Sequence, residues 1–221
     1  MKSPLTTISN ILTALVFPHY CPECGKEWSA GVGWICPECW QSLPEAGKGL
    51  WALDANLKHT VFVAFQYGES TRQLVHQMKF GGRQDIAPVL GREAARKYCE
   101  WRSPMLFEAI VPVPLHPTRR RERGYNQNLA IAEGIAAELG LPLRNDLICR
   151  TRNTPPQSRL SDGERMKNLL GAFAPVRKVK AVPTAVLLID DVIHTGQTVT
   201  GCREALLAAG VKRVSVLAAC G

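Results

Sequence analysis

The chain has 221 residues, of which 46% are hydrophobic and 21% are charged, and its formal net charge is +8 at pH 7. This size allows one sizeable hydrophobic core with a small appendage, and it excludes a second full domain. The basic excess lies after residue 58, because residues 19–58 carry more acidic than basic side chains, and it suits a small polyanionic ligand as well as a nucleic acid.

Residues 1–20 contain an apolar stretch, residues 8–17, that polar side chains interrupt. The stretch is too short and too broken to span a bilayer. A signal peptide is not predicted either, because the segment has one basic residue and no small-residue cleavage site. We expect an amphipathic helix that packs on its own protein, with docking to a membrane surface or to a partner as the alternative.

The sequence Cys-Pro-Glu-Cys then occurs twice, at residues 21–24 and 36–39. Two such pairs supply four thiolates, which is the ligand set of a closed tetrahedral zinc site. A disulfide pair or a redox dithiol is the alternative, although a redox dithiol would not be duplicated. Because four thiolates leave no open coordination position, we predict a structural zinc ion in a module of residues 21–44. Its ligands are Cys21, Cys24, Cys36 and Cys39.

From residue 58 onward, strand-like and helix-like segments alternate. The predicted strands are 61–67, 108–113, 185–189 and 213–219, and the predicted helices are 69–79, 87–98, 127–139 and 198–209. Strands separated by helices imply a parallel sheet, so we predict an α/β domain over residues 58–221. Since no Gly-x-Gly-x-x-Gly or Walker-type element occurs, neither a dinucleotide-binding fold nor a phosphate-loop nucleotidase is supported.

A proline-rich segment, residues 111–117, leads into an arginine-rich one, residues 119–123. The prolines predict a stiff exposed loop, in which cis peptide bonds or backbone strain can occur. The arginines offer forked donors that suit phosphate oxygens. A solvated turn or a nucleic-acid-binding stripe is the alternative interpretation of these arginines.

A long polar segment lies between Arg150 and Phe173. A connection of this length in a compact domain is usually a mobile lid over a site or a disordered segment. The sequence leaves both interpretations open.

The most informative run is residues 186–198, in which apolar residues end in Asp190 and Asp191 and a Thr-Gly-Gln-Thr turn precedes a helix. A buried parallel strand would deliver the carboxylates to the sheet edge where open α/β folds bind ligands. The turn would present backbone N–H groups that hold phosphate oxygens, while carboxylates accept hydrogen bonds from hydroxyls. Ribose 5-phosphate has both groups, whereas an ordinary strand, turn and helix with an acidic cap is the alternative.

This run closely resembles the 5-phosphoribosyl-1-pyrophosphate (PRPP) motif of type I phosphoribosyltransferases. The resemblance implies that Asp190 and Asp191 are catalytic and face the ribose hydroxyls. It also implies a turn around the 5-phosphate, a pyrophosphate loop and a flexible loop. Their residues are His194, Thr195, Gly196, Gln197 and Thr198 for the turn; Val113, Pro114, Leu115, Arg119 and Arg123 for the pyrophosphate loop; and Gln157, Arg159, Arg165 and Lys167 for the flexible loop. His194 departs from the family, which more often has a small hydroxyl residue there.

The paired cysteine motifs, Pro-Val-Pro-Leu, Arg-Gly-Tyr-Asn-Gln, Thr-Pro-Pro-Gln and the Asp-Asp motif follow one another over nearly the whole chain. Together they resemble the ComF family of competence-associated phosphoribosyltransferase-like proteins. The resemblance implies a cytoplasmic bacterial protein with a type I phosphoribosyltransferase fold, a central parallel sheet flanked by helices, and a small zinc-ribbon-like module.

The resemblance also implies a ligand, PRPP or a related ribose phosphate, with Mg²⁺ on its diphosphate. Whether the phosphoribosyl group is transferred to an acceptor stays open. The alternative function is single-stranded DNA binding during uptake of transforming DNA, with competence proteins as partners and no membrane span.

Overall fold

The computed structural model describes residues 20–28, 34–46, 61–101, 106–152, 171–177 and 179–221. The helix predicted for residues 1–20 lies outside these ranges apart from Tyr20. The four flexible-loop residues, Gln157, Arg159, Arg165 and Lys167, also lie outside them.

The described chain contains short and long helices around strands of three to eight residues. The strands are β1 (Val61–Phe65), β2 (Ala109–Pro112), β3 (Ile148–Arg150), β4 (Phe173–Pro175), β5 (Ala185–Val192) and β6 (Arg213–Cys220). The helices are α1 (Pro37–Gln41), α2 (Glu69–Phe80), α3 (Ile86–Trp101), α4 (Pro117–Arg123), α5 (Gln127–Leu139) and α6 (Gln197–Ala208). None of these helices combines the length and the apolar character that crossing a membrane requires.

Four parallel strands form the central sheet in the order β1, β6, β5, β2. Their side chains alternate between two hydrophobic layers. Leu187 and Ile189 of β5 face the layer of α2, α3 and α5, whereas Val186 and Leu188 face the layer of α6. Because helices cover both faces, β1 and β2 are buried along their whole length. The predicted fold class, a central parallel sheet flanked by helices with a small cysteine-rich module, is confirmed.

Strand β5 is longer than the sequence pattern predicted. It runs to Val192 rather than ending at Ile189, because Asp190 and Val192 continue the ladder with Ala218 and Cys220 of β6. The two aspartates therefore belong to the last part of the strand and do not follow it.

The arginine-rich segment forms a helix, which was not predicted. The proline-rich residues before it, 113–116, do form a loop, but this loop is buried or half-buried and not exposed. Pro117 occupies the first position of α4, where a missing N–H costs nothing, and the His116 side chain accepts a hydrogen bond from the Thr118 N–H. Gly124, with φ of 82°, ends the helix in the left-handed region. No cis peptide bond occurs among the described residues.

A second, antiparallel pair of strands, β3 and β4, was not predicted. Cys149 lies opposite Ala174 in this ladder, and Ile148 and Phe173 pack into the α6 layer. The pair therefore joins the two chain segments that flank residues 153–170.

The cysteine module packs directly on the α/β part. Cys36, Ile35 and Trp40 are buried in the same hydrophobic cluster as Leu74 and Met78 of α2. Polar contacts reinforce this packing, since the Ser70 hydroxyl donates to the Glu23 carboxylate and the Arg83 guanidinium lies 4.8 Å from the Trp34 ring centroid. The module and α2 thus share one core.

Candidate ligand-binding site and metal centre

The two aspartates lie near the carboxyl end of β5 and are buried, with relative exposures of 6% for Asp190 and 5% for Asp191. Adjacent strand residues point to opposite faces of a sheet. Asp191 accordingly lies on the α2 side with Leu187 and Ile189, and Asp190 lies on the α6 side, where its charge acts on the Cys202 thiol.

Each carboxylate is held through one oxygen. The Asn128 side-chain amide and the Asp191 backbone N–H both donate to Asp190 Oδ1, at 3.0 Å each. The Gln127 amide, at 3.0 Å, and the Lys79 ammonium, at 2.9 Å, both reach Asp191 Oδ2. In the part of the chain that the structure describes, the second oxygen of each carboxylate accepts no hydrogen bond. Those two oxygens can accept hydrogen bonds from a ligand.

The first turn of α5 places both amide donors. The Asn126 side chain caps this helix by accepting a hydrogen bond from the Asn128 N–H at 3.1 Å. Gln127 and Asn128 directly follow this cap and are buried, and their side-chain amides contact Asp191 and Asp190. The Arg123 guanidinium donates to Gln127 Oε1, which orients the Gln127 amide N–H toward Asp191.

Asp190 is the carboxyl whose ionisation is most affected. Its burial, and then the negative charge of Asp191, raise its pKa to about 7, although Lys79 and the hydrogen bond from Asn128 oppose the rise. The site therefore changes its charge near neutral pH.

The turn between β5 and α6 contains the residues predicted to hold a phosphate. Gly196 is the N-cap of α6 and has φ of 73°, a conformation that side chains with a Cβ rarely adopt. His194 and Thr195 are exposed, and the His194 ring lies edge-on to Tyr67 at 5.0 Å between centroids. The half-buried Gln197 has a buried Oε1 atom without a hydrogen-bond partner among the described residues. The helix N-terminus can thus present N–H donors to an anion.

The predicted pyrophosphate-loop residues divide into two groups. Val113 is buried, and its N–H donates to the Ile189 carbonyl at 2.9 Å, while Pro114 and Leu115 are half-buried. Arg119 and Arg123 lie in α4. Val113 therefore lies next to β5, with Pro114 and Leu115 directly after it. The two arginines lie in α4, which follows these residues in the chain.

The two arginines open onto a cavity of about 420 Å³. Arg123 is half-buried, and burial lowers its pKa; it forms no salt bridge with a described carboxylate. Lys79 is a third cation among the described residues that line this cavity, and Glu122 is the acid among them. The other lining residues are Met78, Phe80, Gly82, Gln84 and Tyr125.

Sequence reasoning missed Lys79, Gln127 and Asn128 as site residues. Gln127 and Asn128 carried a weak signal, because they are amide side chains in the first turn of a helix that is otherwise largely apolar. Nothing in the sequence around Lys79 indicates a binding role, because a basic residue in the last turn of a helix such as α2 is common.

The four predicted zinc ligands do come together. Their Sγ atoms all lie within 4.8 Å of one another, and the Sγ atoms of Cys24 and Cys36 are 3.7 Å apart. A tetrahedral zinc ion with Zn–S bonds of about 2.3 Å has S···S edges of about 3.8 Å, so the geometry fits a metal. All four cysteines are free thiols and form no disulfide.

The thiols differ in how readily they ionise. Burial raises the pKa of Cys21, but N–H groups of Cys36, Cys24 and Glu23 outweigh it and lower the pKa to about 7. Burial and the neighbouring thiols raise the pKa of Cys39. Full ionisation of the cluster therefore requires a cation at its centre.

Comparison with known proteins shows which family the chain belongs to. No family model matches the chain. Competence protein F of Haemophilus influenzae is 31% identical over 90% of this chain and 83% of its own length, and DNA utilization protein YhgH of Salmonella typhimurium is 32% identical over the same shares. The chain belongs to the ComF family. Another ComF relative, competence protein ComFC of Streptococcus pneumoniae, is 27% identical over 97% of the chain and 93% of its own length.

The ComF chain is also similar to solved structures of phosphoribosyltransferases. Glutamine PRPP amidotransferase from B. subtilis matches with a TM-score of 0.40 and 20% identity, over 60% of this chain and 26% of that one. A hypoxanthine phosphoribosyltransferase from Staphylococcus aureus matches with a TM-score of 0.35 and 13% identity, over 60% of this chain and 61% of that one.

Proposed function

We propose that this ComF-family chain binds PRPP or a related ribose phosphate across the carboxyl end of β5. The observation that supports the proposal is the pair of adjacent carboxylates that each keep one oxygen without a described protein donor. These oxygens, on Asp190 and Asp191, would accept hydrogen bonds from the ribose hydroxyls. The turn formed by His194, Thr195, Gly196, Gln197 and Thr198 would hold the 5-phosphate at the N-terminus of α6.

The diphosphate of PRPP would extend toward Arg119 and Arg123, with Val113, Pro114 and Leu115 as the adjoining wall. The half-buried Arg123, which lacks a described carboxylate partner, supports this placement. Gln157, Arg159, Arg165 and Lys167 remain predicted contacts. Mg²⁺ would be held mainly by the diphosphate oxygens, because this ion usually binds through substrate phosphates, water and at most one or two carboxylates.

Transfer of the phosphoribosyl group is a further step of the proposal. Departure of diphosphate leaves positive charge on the ribose, and two nearby carboxylates would stabilise that charge while the arginines stabilise the leaving group. No acceptor is assigned. Asp190 and Asp191 would therefore serve both binding and catalysis.

Calorimetric titration with PRPP, with and without Mg²⁺, tests the proposal. We expect saturable binding to the wild-type chain and a loss of at least about tenfold in affinity when Asp190→Asn and Asp191→Asn are combined. Asp146→Asn is the matched control, because this carboxylate is bound by Arg144 outside the site and its loss should not matter. Failure of the wild-type chain to bind PRPP, or full affinity in the double variant, would overturn the proposal.

Single-stranded DNA binding is the second candidate function, and the surface of α4 favours it. Arg120 and Arg121 are exposed, and Phe80 is 69% exposed beside the Arg123 guanidinium, 5.3 Å from its ring centroid. Exposed aromatic rings can stack on the bases of a single strand, while neighbouring cations bind its phosphates.

Replacing Arg120 and Arg121 together with Gln should weaken binding of a single-stranded oligonucleotide. The salt dependence should also become shallower, by roughly 0.7 in the log–log slope for each phosphate that the protein no longer neutralises. PRPP affinity should stay unchanged. An unaltered oligonucleotide affinity would remove this surface as the DNA site.

The metal of the cysteine cluster is proposed to be zinc in a structural role, because a closed set of four thiolates suits zinc and leaves no position for a substrate. The division of the chain into residues 1–20, 21–44 and 58–221 remains a prediction.

A further inference from the structure

The last turn of α2 brings Lys79 between a buried carboxylate and an open cavity. Its ammonium lies 2.9 Å from Asp191 Oδ2, and its side chain keeps 21% of its surface exposed. The same residue lines the cavity of about 420 Å³ that Arg119 and Arg123 also line. An ammonium group has three N–H donors, so contact with Asp191 leaves donors for a ligand.

The position of Lys79 follows from the packing of its helix. The Tyr125 hydroxyl donates to the Met78 carbonyl, which ties the end of α2 to the segment that joins α4 and α5. Met78 itself is fully buried in the core. These contacts hold the end of α2, and with it Lys79, beside the segment that follows Arg123.

The described lining of the cavity has more cationic than acidic side chains, which suits an anionic ligand. Among the described lining residues, Lys79, Arg119 and Arg123 are cationic and Glu122 is acidic, and Glu122 lies 3.4 Å from Arg119. The described hydrogen-bond acceptor for Arg123 is the neutral Gln127 side chain. Because Lys79 also contacts Asp191, its ammonium would offset negative charge on both that carboxylate and a bound anion.

We propose that Lys79 is the third cation of the diphosphate subsite and is shared between Asp191 and the ligand. The inference rests on the proposed function and deepens it by assigning a residue from α2, outside every motif of the site. Lys79 donates to a diphosphate oxygen while Gln127 keeps its hydrogen bond to Asp191. Lys79 thus sets the preference for a ligand with a diphosphate over one without.

The test compares two ligands, PRPP and ribose 5-phosphate, on each variant by calorimetry. Lys79→Met should lower the ratio of the two affinities by about tenfold or more, because PRPP loses a charge-assisted hydrogen bond that ribose 5-phosphate never makes. Arg72→Met is the control, since it removes a cation from the same helix at an exposed position paired with Glu69. It should leave the ratio unchanged.

An unchanged ratio in Lys79→Met, or an equal loss for both ligands, would overturn the inference, since equal loss indicates a purely structural role. A wild-type chain that binds neither ligand would instead overturn the proposed function. If Lys79→Met does not fold because Asp191 loses its cation, the double variant Lys79→Met with Asp191→Asn removes the unpaired charge at position 191. Compared with Asp191→Asn alone, it should show the same fall in the ratio.

Discussion

Asp190 is almost completely buried beside a second carboxylate, and both features raise its pKa to about 7 from an ordinary value of 3.8. The pKa of Asp190 is thus higher in the folded state than in the unfolded state. The contribution of Asp190 to stability is therefore fully present below about pH 3.8 and is lost as the pH rises through about 7. Ionised Asp190 therefore destabilises the folded state near neutral pH.

Asp190→Asn removes the destabilising charge and keeps an oxygen that accepts hydrogen bonds from the Asn128 amide and the Asp191 N–H. The free energy of unfolding of the variant, relative to the wild type, should increase between about pH 5 and about pH 8. Urea unfolding at both pH values measures it. Asp146→Asn should show no such increase, because Arg144 lowers the pKa of Asp146 and keeps it ionised throughout that range. A difference that does not change with pH would show that Asp190 does not titrate there.

The site residues that sequence reasoning found are those that share a local motif. Asp190 and Asp191 are adjacent and precede a turn, so their pattern is visible without a structure. Gln127 and Asn128 lie 64 and 62 residues before the carboxylates that they contact. Their contacts depend on β2 lying next to β5, and that strand order cannot be read from the chain. The same holds for Lys79, which reaches Asp191 through the packing of α2.

Among the elements, the turn before α6 depends on one backbone conformation. Gly196 has φ of 73°, so Gly196→Ala should cost about 1 to 2 kcal/mol of stability and distort the proposed phosphate turn. Affinity for ribose 5-phosphate should fall as well, which titration measures.

Gly140→Ala provides the matched control for this turn. Gly140 has φ of 66° at the end of α5, and an added Cβ would meet no atom within 4 Å. The stability loss should be similar, but ribose 5-phosphate affinity should not change. Equal affinity losses in both variants would show that the turn has no special role in binding.

Elements with strong end signals were predicted well, and elements without an apolar pattern were not. The bounds of α5 match the prediction, because Asn126 begins the helix and Gly140 ends it. Helix α4 was missed because none of its residues is buried, which leaves no hydrophobic face to detect. Strands β3 and β4 have three residues each, too few for a periodic pattern.

For the whole molecule, the shared core of the cysteine module and α2 links metal binding to global stability. Cys39→Ser should abolish binding of one metal ion per chain and lower the midpoint of thermal unfolding, because a module with too small a core of its own depends on the metal. Metal content and calorimetry measure the two effects. Cys149→Ser, at an exposed position in β3, should change neither.

Unfolding should also occur in a single transition, since Ile35 and Trp40 pack in the same cluster as Leu74 and Met78. A separate low-temperature transition in Cys39→Ser, with the main transition unchanged, would show that the module is energetically independent.

The alternation of side chains along β5 turns the two carboxylates toward different sides of the sheet. Lys79 of α2 and Gln127 of α5 contact Asp191, whereas Asp190 lies on the α6 side and is also contacted by Asn128 of α5. A sugar that reached both would span the end of β5 and link the α2 side of the sheet to the α6 side. Ligand binding should then slow amide hydrogen exchange on both sides of the sheet together. A compound that engaged one carboxylate alone would protect one layer and leave the other as it was.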